Sequence, residues 1–410
     1  MNEQSLKRWD SNTERTMSFI PQQIQVPHTL DVEAIERMLA ELWKKTAGHN
    51  QAVGDDAVLR ARAADLMVFL NDESLLSDTH QIISELASFH PCRALLMAGD
   101  RNAAARDIEM YVSAFCASQQ RSDSRSLCCE EITLTAHGRF VSELPSAALP
   151  LLVPDLPVFL WWRGELGAVD RVFSQLCLAA DRVVIDSADF QDPPSDFFAV
   201  AQLVKRTSDE AIVLSDINWA RLTPWRASLA NFYDVEDYRA ELDQVTDVRI
   251  HFVAETGKAS AVSSQALLIA GWLASRLNWK FAGATEMQRS PEGLSFHFKK
   301  NDRLIKLSLK EVQRPAMKSG RLSQMALKAA DGSATFLVSR SEDGLHLETQ
   351  TTVGERSSPG RLLPVRNWSA ARLLSREMEI LCNDKIYEEA IEVAAEMMRH
   401  PPQDPGRGSL

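Results

Sequence analysis

The pattern of hydrophobic and polar positions predicts two kinds of element in the first third of the chain. Behind Asp31, a suitable N-cap, apolar side chains recur at helical spacing through Ile35, Leu39 and Leu42, which indicates an amphipathic helix. Later segments, such as 108–114, alternate apolar and polar residues, which is typical of half-buried strands. These patterns therefore predict helices and half-buried strands in this part of the chain.

The pattern then changes to short, nearly continuous apolar runs. They lie at 157–162, 182–186 and 211–217, with helical segments near 168–179 and 195–207 between them. Continuous apolar strands that alternate with helices indicate a parallel sheet covered on both faces. We therefore predict an α/β N-terminal domain with a mostly parallel or mixed sheet.

A charged stretch at 234–247 is interpreted as a linker, and the segments after it predict an α+β C-terminal domain with an antiparallel sheet. Hairpin signals at Asn301-Asp302, Asp331-Gly332 and Asp343-Gly344 separate the strand candidates. The strand candidates are 293–299, 303–312, 321–329, 334–340 and 345–352, and helices are predicted at 263–277, 369–382 and 384–399. The predicted organisation is a flexible N-terminal arm (1–28), an α/β domain (29–235), an α+β domain (236–400) and a disordered tail (401–410).

Composition and charge exclude several classes of function for this 410-residue chain. Its net charge of −11 argues against nucleic-acid binding and against binding to an anionic membrane. No apolar run is long enough to cross a membrane, and the N-terminus lacks the apolar core of a signal peptide, so a cytoplasmic location is expected. Cofactor-binding, metal-binding and catalytic motifs are missing, so we predict no cofactor, no metal and no catalytic residue.

Candidate binding residues follow the strands of the predicted parallel sheet. Ligands of such sheets bind beyond the carboxyl ends of the strands, and Trp and Arg are enriched in binding hot spots. Two alternatives remain open, since Asp186 and Asp216 could cap the following helices and at least one of Trp161 and Trp162 could face the core. The predicted partner-binding residues are Trp161, Trp162, Arg163, Asp216, Asn218, Trp219, Arg221, Trp225 and Arg226.

Adjacent Cys128 and Cys129 are candidates for a redox-sensitive site. The acidic residues Glu130 and Glu131 that follow them would raise a thiol pKa, whereas upstream arginines would lower it. A pair of ordinary buried strand cysteines is the alternative interpretation.

Several long motifs resemble the OpcA family of glucose-6-phosphate dehydrogenase assembly proteins, of the cyanobacterial type. The motifs are LPSAALPLLVPDLPVFLWWRG (144–164), ADRVVIDSADF (180–190), DINWARLTPWR (216–226) and IAGWLASRLNW (269–279). The resemblance implies a non-catalytic partner that binds glucose-6-phosphate dehydrogenase and promotes its assembly or allosteric activation. It further implies a place in the NADPH-forming oxidative pentose phosphate pathway and redox control through thioredoxin.

The residues alone leave two other hypotheses open. One is a sugar-phosphate- or nucleotide-binding α/β enzyme that uses the strand ends, and the other is a thiol-based redox sensor. The family resemblance favours the dehydrogenase partner over both.

Overall fold

The computed structural model describes residues 24–25, 32–53, 59–60, 62–117, 127–166, 170–210, 213–254, 262–284, 293–315, 317–380 and 382–399. The chain divides into two compact units, the first formed by Met1–Leu66 with Glu73–Leu156 and the second by Met67–Asp72 with Pro157–Leu410. The predicted arm, apart from Ile24–Gln25, and the predicted tail lie outside the described residues. The predicted domain boundary after residue 235 stays a prediction.

The first unit contains strands of both orientations. Its elements are β1 (Ile24–Gln25), α1 (Val32–Val53), β2 (Leu59–Arg60), α2 (Leu76–Leu86), β4 (Cys92–Asp100), β5 (Arg106–Ala117), β6 (Leu127–His137) and α3 (Leu144–Ala148), while β3 (Ala64–Leu70) continues into the second unit. Strand β6 pairs parallel with β4 and antiparallel with β5, which in turn pairs antiparallel with β1. Ile35, Leu39 and Leu42 of α1 are buried, which confirms the predicted apolar face.

The second unit begins with the predicted parallel strands. Its first elements are β7 (Val158–Arg163), α4 (Arg171–Cys177), β8 (Arg182–Ile185), α5 (Pro193–Glu210), β9 (Val213–Asp216), α6 (Ile217–Arg221) and α7 (Thr223–Tyr233). Strand β8 pairs parallel with both β7 and β9. The three strands are almost wholly buried, as expected for apolar strands covered on both faces.

The charged stretch that was interpreted as a linker contains a helix, α8 (Glu236–Asp243). Glu236 and Asp237 lie in its first turn, where carboxylates interact favourably with the helix dipole. Leu242 anchors the helix as its one buried residue. The charged residues of this stretch lie on the outer face of a short helix, and its role as a linker between domains stays a prediction.

An eight-stranded sheet forms the rest of the second unit. Its elements are β10 (Val245–Val253), α9 (Ser264–Arg276), β11 (Lys280–Ala284), β12 (Leu294–Lys300), β13 (Arg303–Val312), β14 (Leu322–Ala329), β15 (Ala334–Arg340), β16 (His346–Val353), β17 (Arg356–Pro364), α10 (Ala370–Glu379) and α11 (Lys385–Arg399). The strand order is β11-β12-β13-β10-β14-β15-β16-β17. All pairs are antiparallel except β10 with β13.

The parallel pair corrects the predicted purely antiparallel sheet. After β10 the chain crosses through α9 and the β11–β12 hairpin, so β13 returns in the direction of β10. The fold is therefore α/β with mixed sheets. Within the described ranges, no helix is both long enough and apolar enough to cross a membrane.

Helix α11 lies directly against α9 at Gly271. A Cβ at this position would collide with the carbonyl oxygen of Ala390, so only glycine permits the close approach of the two helices. The contact matters for function because the N-terminal end of α11 carries Asp384 and Tyr387 towards the strand ends described below.

Candidate functional site

Two carboxylates meet where strands β8 and β9 end. Ile185 and Asp216 are paired in the parallel register, and Asp186 follows directly. Asp186 caps a short 3-10 turn by accepting from the Ala188 N–H at 3.1 Å. Asp216 caps α6 by accepting from the Asn218 N–H at 2.8 Å. The capping interpretation is confirmed for both residues, and the strand ends lie side by side as the parallel sheet predicted.

Asp216 is the centre of a buried polar cluster. Its Oδ1 also accepts from the Ser187 N–H at 3.0 Å, and the Asn218 side-chain amide donates to the Ser187 hydroxyl at 3.1 Å. Gln265 of α9 donates to the Asn218 carbonyl oxygen at 2.8 Å. Burial and the neighbouring charge of Asp186 raise the pKa of Asp216 to about 7, although the bonds from Ser187 and Asn218 oppose the rise. This carboxyl therefore changes its protonation state near neutral pH.

Arg221 forms a bidentate ion pair with Asp186, with N–O distances of 2.6 and 2.7 Å. Burial lowers the pKa of Arg221, but the charge of Asp186 and the hydrogen bonds to it outweigh this effect and the pKa is raised. Arg321 lies nearby, and its pKa falls to about 10 because of burial and the positive charges of Arg221 and Arg340. Among the described residues, Asp186 forms its ion pair with Arg221 and not with the neighbouring Arg321 or Arg340.

Arg321 and Arg340 lack ion-pair partners among the residues that the structure describes. The Nε of Arg340 is buried and has no hydrogen-bond partner. Burial alone lowers the pKa of this guanidinium. A buried donor without an acceptor is costly unless another molecule supplies the acceptor.

Trp219 organises the opposite side of the strand ends. Its indole N–H donates to Oδ2 of Asp384 at 2.8 Å, and its ring lies 5.6 Å from the ring of Tyr387. The guanidinium of Arg226 stacks over the indole at 3.4 Å from the ring centroid, an attractive cation–π geometry. Burial lowers the pKa of Arg226 to about 10, and the charges of Asp384 and Glu377 offset only part of that effect.

The remaining predicted residues lie largely in the core of the second unit. Trp161 is 1% exposed, and Trp162 stacks on Phe69 with ring centroids 4.3 Å apart. Trp225 is also buried. Arg163 is less deeply buried and lies over the Trp161 ring at 5.0 Å. The expectation that at least one of Trp161 and Trp162 is a core residue is therefore confirmed for both.

A cavity of about 1100 Å³ within the second unit is bordered by Trp219, Arg221, Arg226, Arg321 and Arg340, but not by Trp161, Trp162, Arg163 or Trp225. The predicted segment 216–226 supplies Asp216, Trp219, Arg221 and Arg226 to its wall. The basic lining residues are Arg182, Arg221, Arg226, Lys318, Arg321, Arg340, Arg366, Arg376 and Lys385. The acidic lining residues are Asp216, Asp343, Glu377 and Asp384. The wall is therefore markedly basic although the chain as a whole carries a net charge of −11.

The sequence pattern did not identify Arg321, which directly precedes β14, or Arg340, the last residue of β15. Arg321 and Arg340 lie more than a hundred residues beyond β9, so no local spacing connects them with Arg221. The run Lys318-Ser319-Gly320-Arg321 carries the one local signal, namely two basic residues around a glycine turn with φ +73°.

The first unit holds the predicted thiol site. Cys129 is buried, and its Sγ accepts from the backbone N–H of Cys92 at 3.1 Å. A hydrogen bond to Cys129, together with burial, raises the pKa of the Cys92 thiol. The side chain of Cys128 lies outside the described residues. The redox role of Cys128 and Cys129 stays a prediction, and the pKa of Cys92 disfavours a reactive thiolate beside them.

A metal site is not found in the described part of the chain, where no three His, Cys, Asp or Glu residues are grouped to hold an ion. The arrangement in the second unit is instead suited to electrostatic binding. It combines guanidinium groups, a tryptophan ring with Arg226 stacked over it, and the carboxyl of Asp216 with a pKa of about 7.

Known proteins resemble this chain along most of its length. A Nostoc punctiforme protein named OxPP cycle protein OpcA is 29% identical over 337 residues, covering 79% of this chain and 69% of the relative. A Synechococcus elongatus protein of the same name is 28% identical, covering 77% and 69%. Among solved structures, the 3-ketoreductase KijD10 of Actinomadura kijaniata is 10% identical with a TM-score of 0.49, covering 83% of this chain and 96% of that one. That structural similarity is too weak to carry any statement about chemistry.

Two family profiles match consecutive parts of the chain. The profile described as glucose-6-phosphate dehydrogenase subunit N-terminal domain matches residues 83–202, and the corresponding C-terminal domain profile matches residues 212–391. Together they cover most of the chain in the order that the family requires. The chain therefore belongs to the OpcA family of glucose-6-phosphate dehydrogenase assembly proteins.

Proposed function

We propose that this chain binds glucose-6-phosphate dehydrogenase and promotes its assembly or activation as a non-catalytic partner in the oxidative pentose phosphate pathway. The observation that carries the proposal is the match of both family domains, each described as part of a subunit of that dehydrogenase. The names of the relatives, which refer to the same pathway, support it.

A modest binding preference is enough for such an effect. A partner that binds the active or assembled form of an enzyme more tightly shifts the population towards that form by its difference in affinity. A tenfold shift corresponds to about 1.4 kcal/mol. A single well-placed Trp or Arg side chain in an interface contributes energies of this size.

Among the predicted partner-binding residues, the arginines are the best placed for contact. Arg163, Arg221 and Arg226 are only partly buried, whereas the four tryptophans of the set are buried. We therefore propose that the arginines contact the dehydrogenase and that the tryptophans hold them in place. Trp219 beneath Arg226 is the clearest example.

The decisive experiment is a dehydrogenase assay with and without the full chain, combined with gel filtration of the mixture. We expect co-elution and a rise in dehydrogenase activity. Arg226→Gln should weaken the complex about tenfold, while Arg356→Gln, a substitution of an exposed strand arginine outside the cavity, should leave it unchanged. The absence of both co-elution and a change in activity would contradict the partner role.

Redox control is a second part of the proposal and has its own test. The assay is repeated after oxidation and after reduction by thioredoxin, with Cys128→Ser and Cys129→Ser chains. We expect these substitutions to remove any difference between the two states, and Cys382→Ser, which changes an exposed thiol, to preserve it. A redox-independent rise in activity would retain the partner role and eliminate the thiol switch.

A further inference from the structure

The cavity of the second unit has more positive charge than its own residues neutralise. Nine basic side chains line it and four acidic ones face them. From this imbalance and the shape of the cavity we propose that it binds a phosphorylated small molecule that carries at least two negative charges. The proposal does not depend on the dehydrogenase partner, since the site is built from this chain alone.

The acidic lining residues are already engaged. Asp384 accepts from the Trp219 indole and from the backbone N–H groups of Ile386 and Tyr387. Asp216 is bound within its buried cluster. Asp343 accepts from the Ser341 hydroxyl and the Leu345 N–H. These bonds hold the carboxylates in place. The charges of Asp384 and Glu377 act on Arg226, and that of Glu377 also acts on Arg182, whereas Arg321 and Arg340 have no ion pair within the described residues.

Asp186 is likewise committed. Both of its oxygens are bound to Arg221, so the nearby guanidinium groups of Arg321 and Arg340 receive no ion pair from it within the described residues. The buried Nε of Arg340 has no acceptor at all. Folding places these two cations together against their mutual repulsion, which a bound anion would relieve.

The chemistry of the wall suits an oxyanion such as phosphate. Guanidinium forks match the spacing of phosphate oxygens and bind them through two parallel hydrogen bonds. The cavity is about 1100 Å³, close to the upper end of the range of roughly 300–1,000 Å³ for small-molecule sites. Trp219, Trp368 and Tyr387 add apolar surface for the organic part of a metabolite. A cavity of this volume can admit such a metabolite.

Isothermal titration of the full chain with inorganic pyrophosphate tests the proposal at constant ionic strength, with chloride as the balancing anion. We expect saturable binding at one site. The double substitution Arg321→Gln with Arg340→Gln should weaken binding at least tenfold, while Arg356→Gln outside the cavity should change it less than twofold. Arg340→Gln alone should weaken it by a smaller factor.

The melting temperature of the ligand-free protein separates a binding role from a structural one. Because neither arginine has an ion pair among the described residues, the double variant should melt at the same temperature as the unsubstituted chain or above it, while it loses pyrophosphate binding. If the double variant does not fold, the same comparison is made with Arg340→Gln.

Three outcomes would overturn the proposal. The folded, unsubstituted chain could show no saturable binding of pyrophosphate. Binding could survive the substitution of Arg340, alone or with Arg321, without loss. Finally, a hexaglutamate peptide could bind more tightly than pyrophosphate, which would assign the cavity to an acidic segment of a protein partner.

Discussion

The arginines of two regions of this protein have opposite electrostatic surroundings. In the first unit, Arg93 is 2% exposed. Its guanidinium lies 2.7 Å from Glu36 and 2.9 Å from Glu130, and it donates to the carbonyl oxygen of Leu151 at 2.9 Å. In the second unit, Arg321 and Arg340 face a cavity and have no ion pair within the described residues.

The direction of each pKa shift depends on whether carboxylate partners outweigh the effect of burial. Burial lowers the pKa of Arg93, but its bonds to Glu36 and Glu130 outweigh this and the pKa is raised. For Arg321, burial and the neighbouring arginines lower it to about 10. A buried arginine that is paired with two carboxylates serves the fold, whereas an arginine without an ion pair indicates a place for a ligand.

The largest expected effect comes from breaking the compensated cluster. Glu130 accepts from Arg93, from Arg62 at 2.8 Å and from the Trp43 indole at 2.6 Å. Glu130→Ala leaves these donors unsatisfied in the interior and should lower the free energy of unfolding by about 3–5 kcal/mol. Urea denaturation measures this loss of unfolding free energy.

The matched control for this substitution is an exposed ion pair. Arg249 and Asp247 lie 2.8 Å apart on β10, and both are partly exposed. Asp247→Ala should therefore cost less than about 1 kcal/mol. Equal losses for Glu130→Ala and Asp247→Ala would show that the buried cluster is not the anchor that its geometry indicates.

The second prediction makes the same comparison within one unit. Arg221 is paired with Asp186 and Arg340 is not, although both line the cavity. Arg221→Gln removes a bidentate partner and leaves a nearly buried carboxylate, so unfolding should become easier by about 2–3 kcal/mol. Thermal denaturation of Arg221→Gln and Arg340→Gln side by side measures the difference in stability between the two variants. A loss of stability of the same size for Arg340→Gln would contradict the prediction.

The third prediction concerns pH. In the unfolded chain Asp216 ionises near its ordinary pKa of 3.8, whereas in the folded protein its pKa is about 7. Between these values the unfolded state loses a proton that the folded state keeps, so ionisation of this residue destabilises the fold as pH rises from about 4 to 7. Asp216→Asn, which retains the capping oxygen, should gain about 1–2 kcal/mol over the unsubstituted chain between pH 5 and pH 8.

Urea denaturation at several pH values tests this effect of Asp216. Parallel stability profiles for the two chains would show that the carboxyl is ionised throughout the range. If the advantage of Asp216→Asn over the unsubstituted chain grew as pH falls, the sign of the effect would be reversed. That result would contradict the buried environment assigned to Asp216.

The sequence predicted elements well where periodicity is local. The parallel strands β7, β8 and β9 and the helices between them were predicted within a few residues, because apolar runs and turn residues define them directly. Strands β11 and β17 were not predicted, since the alternation of apolar residues in them is weak. Pairing of β10 with β13 depends on how the chain returns after α9, which no local pattern encodes.

The site was predicted only in part, for a related reason. Segment 216–226 was identified from its Trp and Arg content, but that composition does not distinguish a docking surface from a core. Trp219 is 5% exposed, because Arg226, Asp384 and Tyr387 contact its indole. Arg321 and Arg340 enter the same wall from distant loops and strand ends, where a single arginine is indistinguishable from any solvated one.

The smallest expected effect concerns Arg340 itself. Replacing it with Gln removes a partly buried charge that has no ion pair among the described residues, so the free energy of unfolding should be unchanged or rise by up to about 1 kcal/mol. Most core substitutions destabilise a protein, so even a neutral result separates Arg340 from Arg93, whose replacement should be costly. A clear loss of stability for Arg340→Gln in thermal denaturation would mean that the cavity arginine supports the fold, and the contrast between the two regions would then fail.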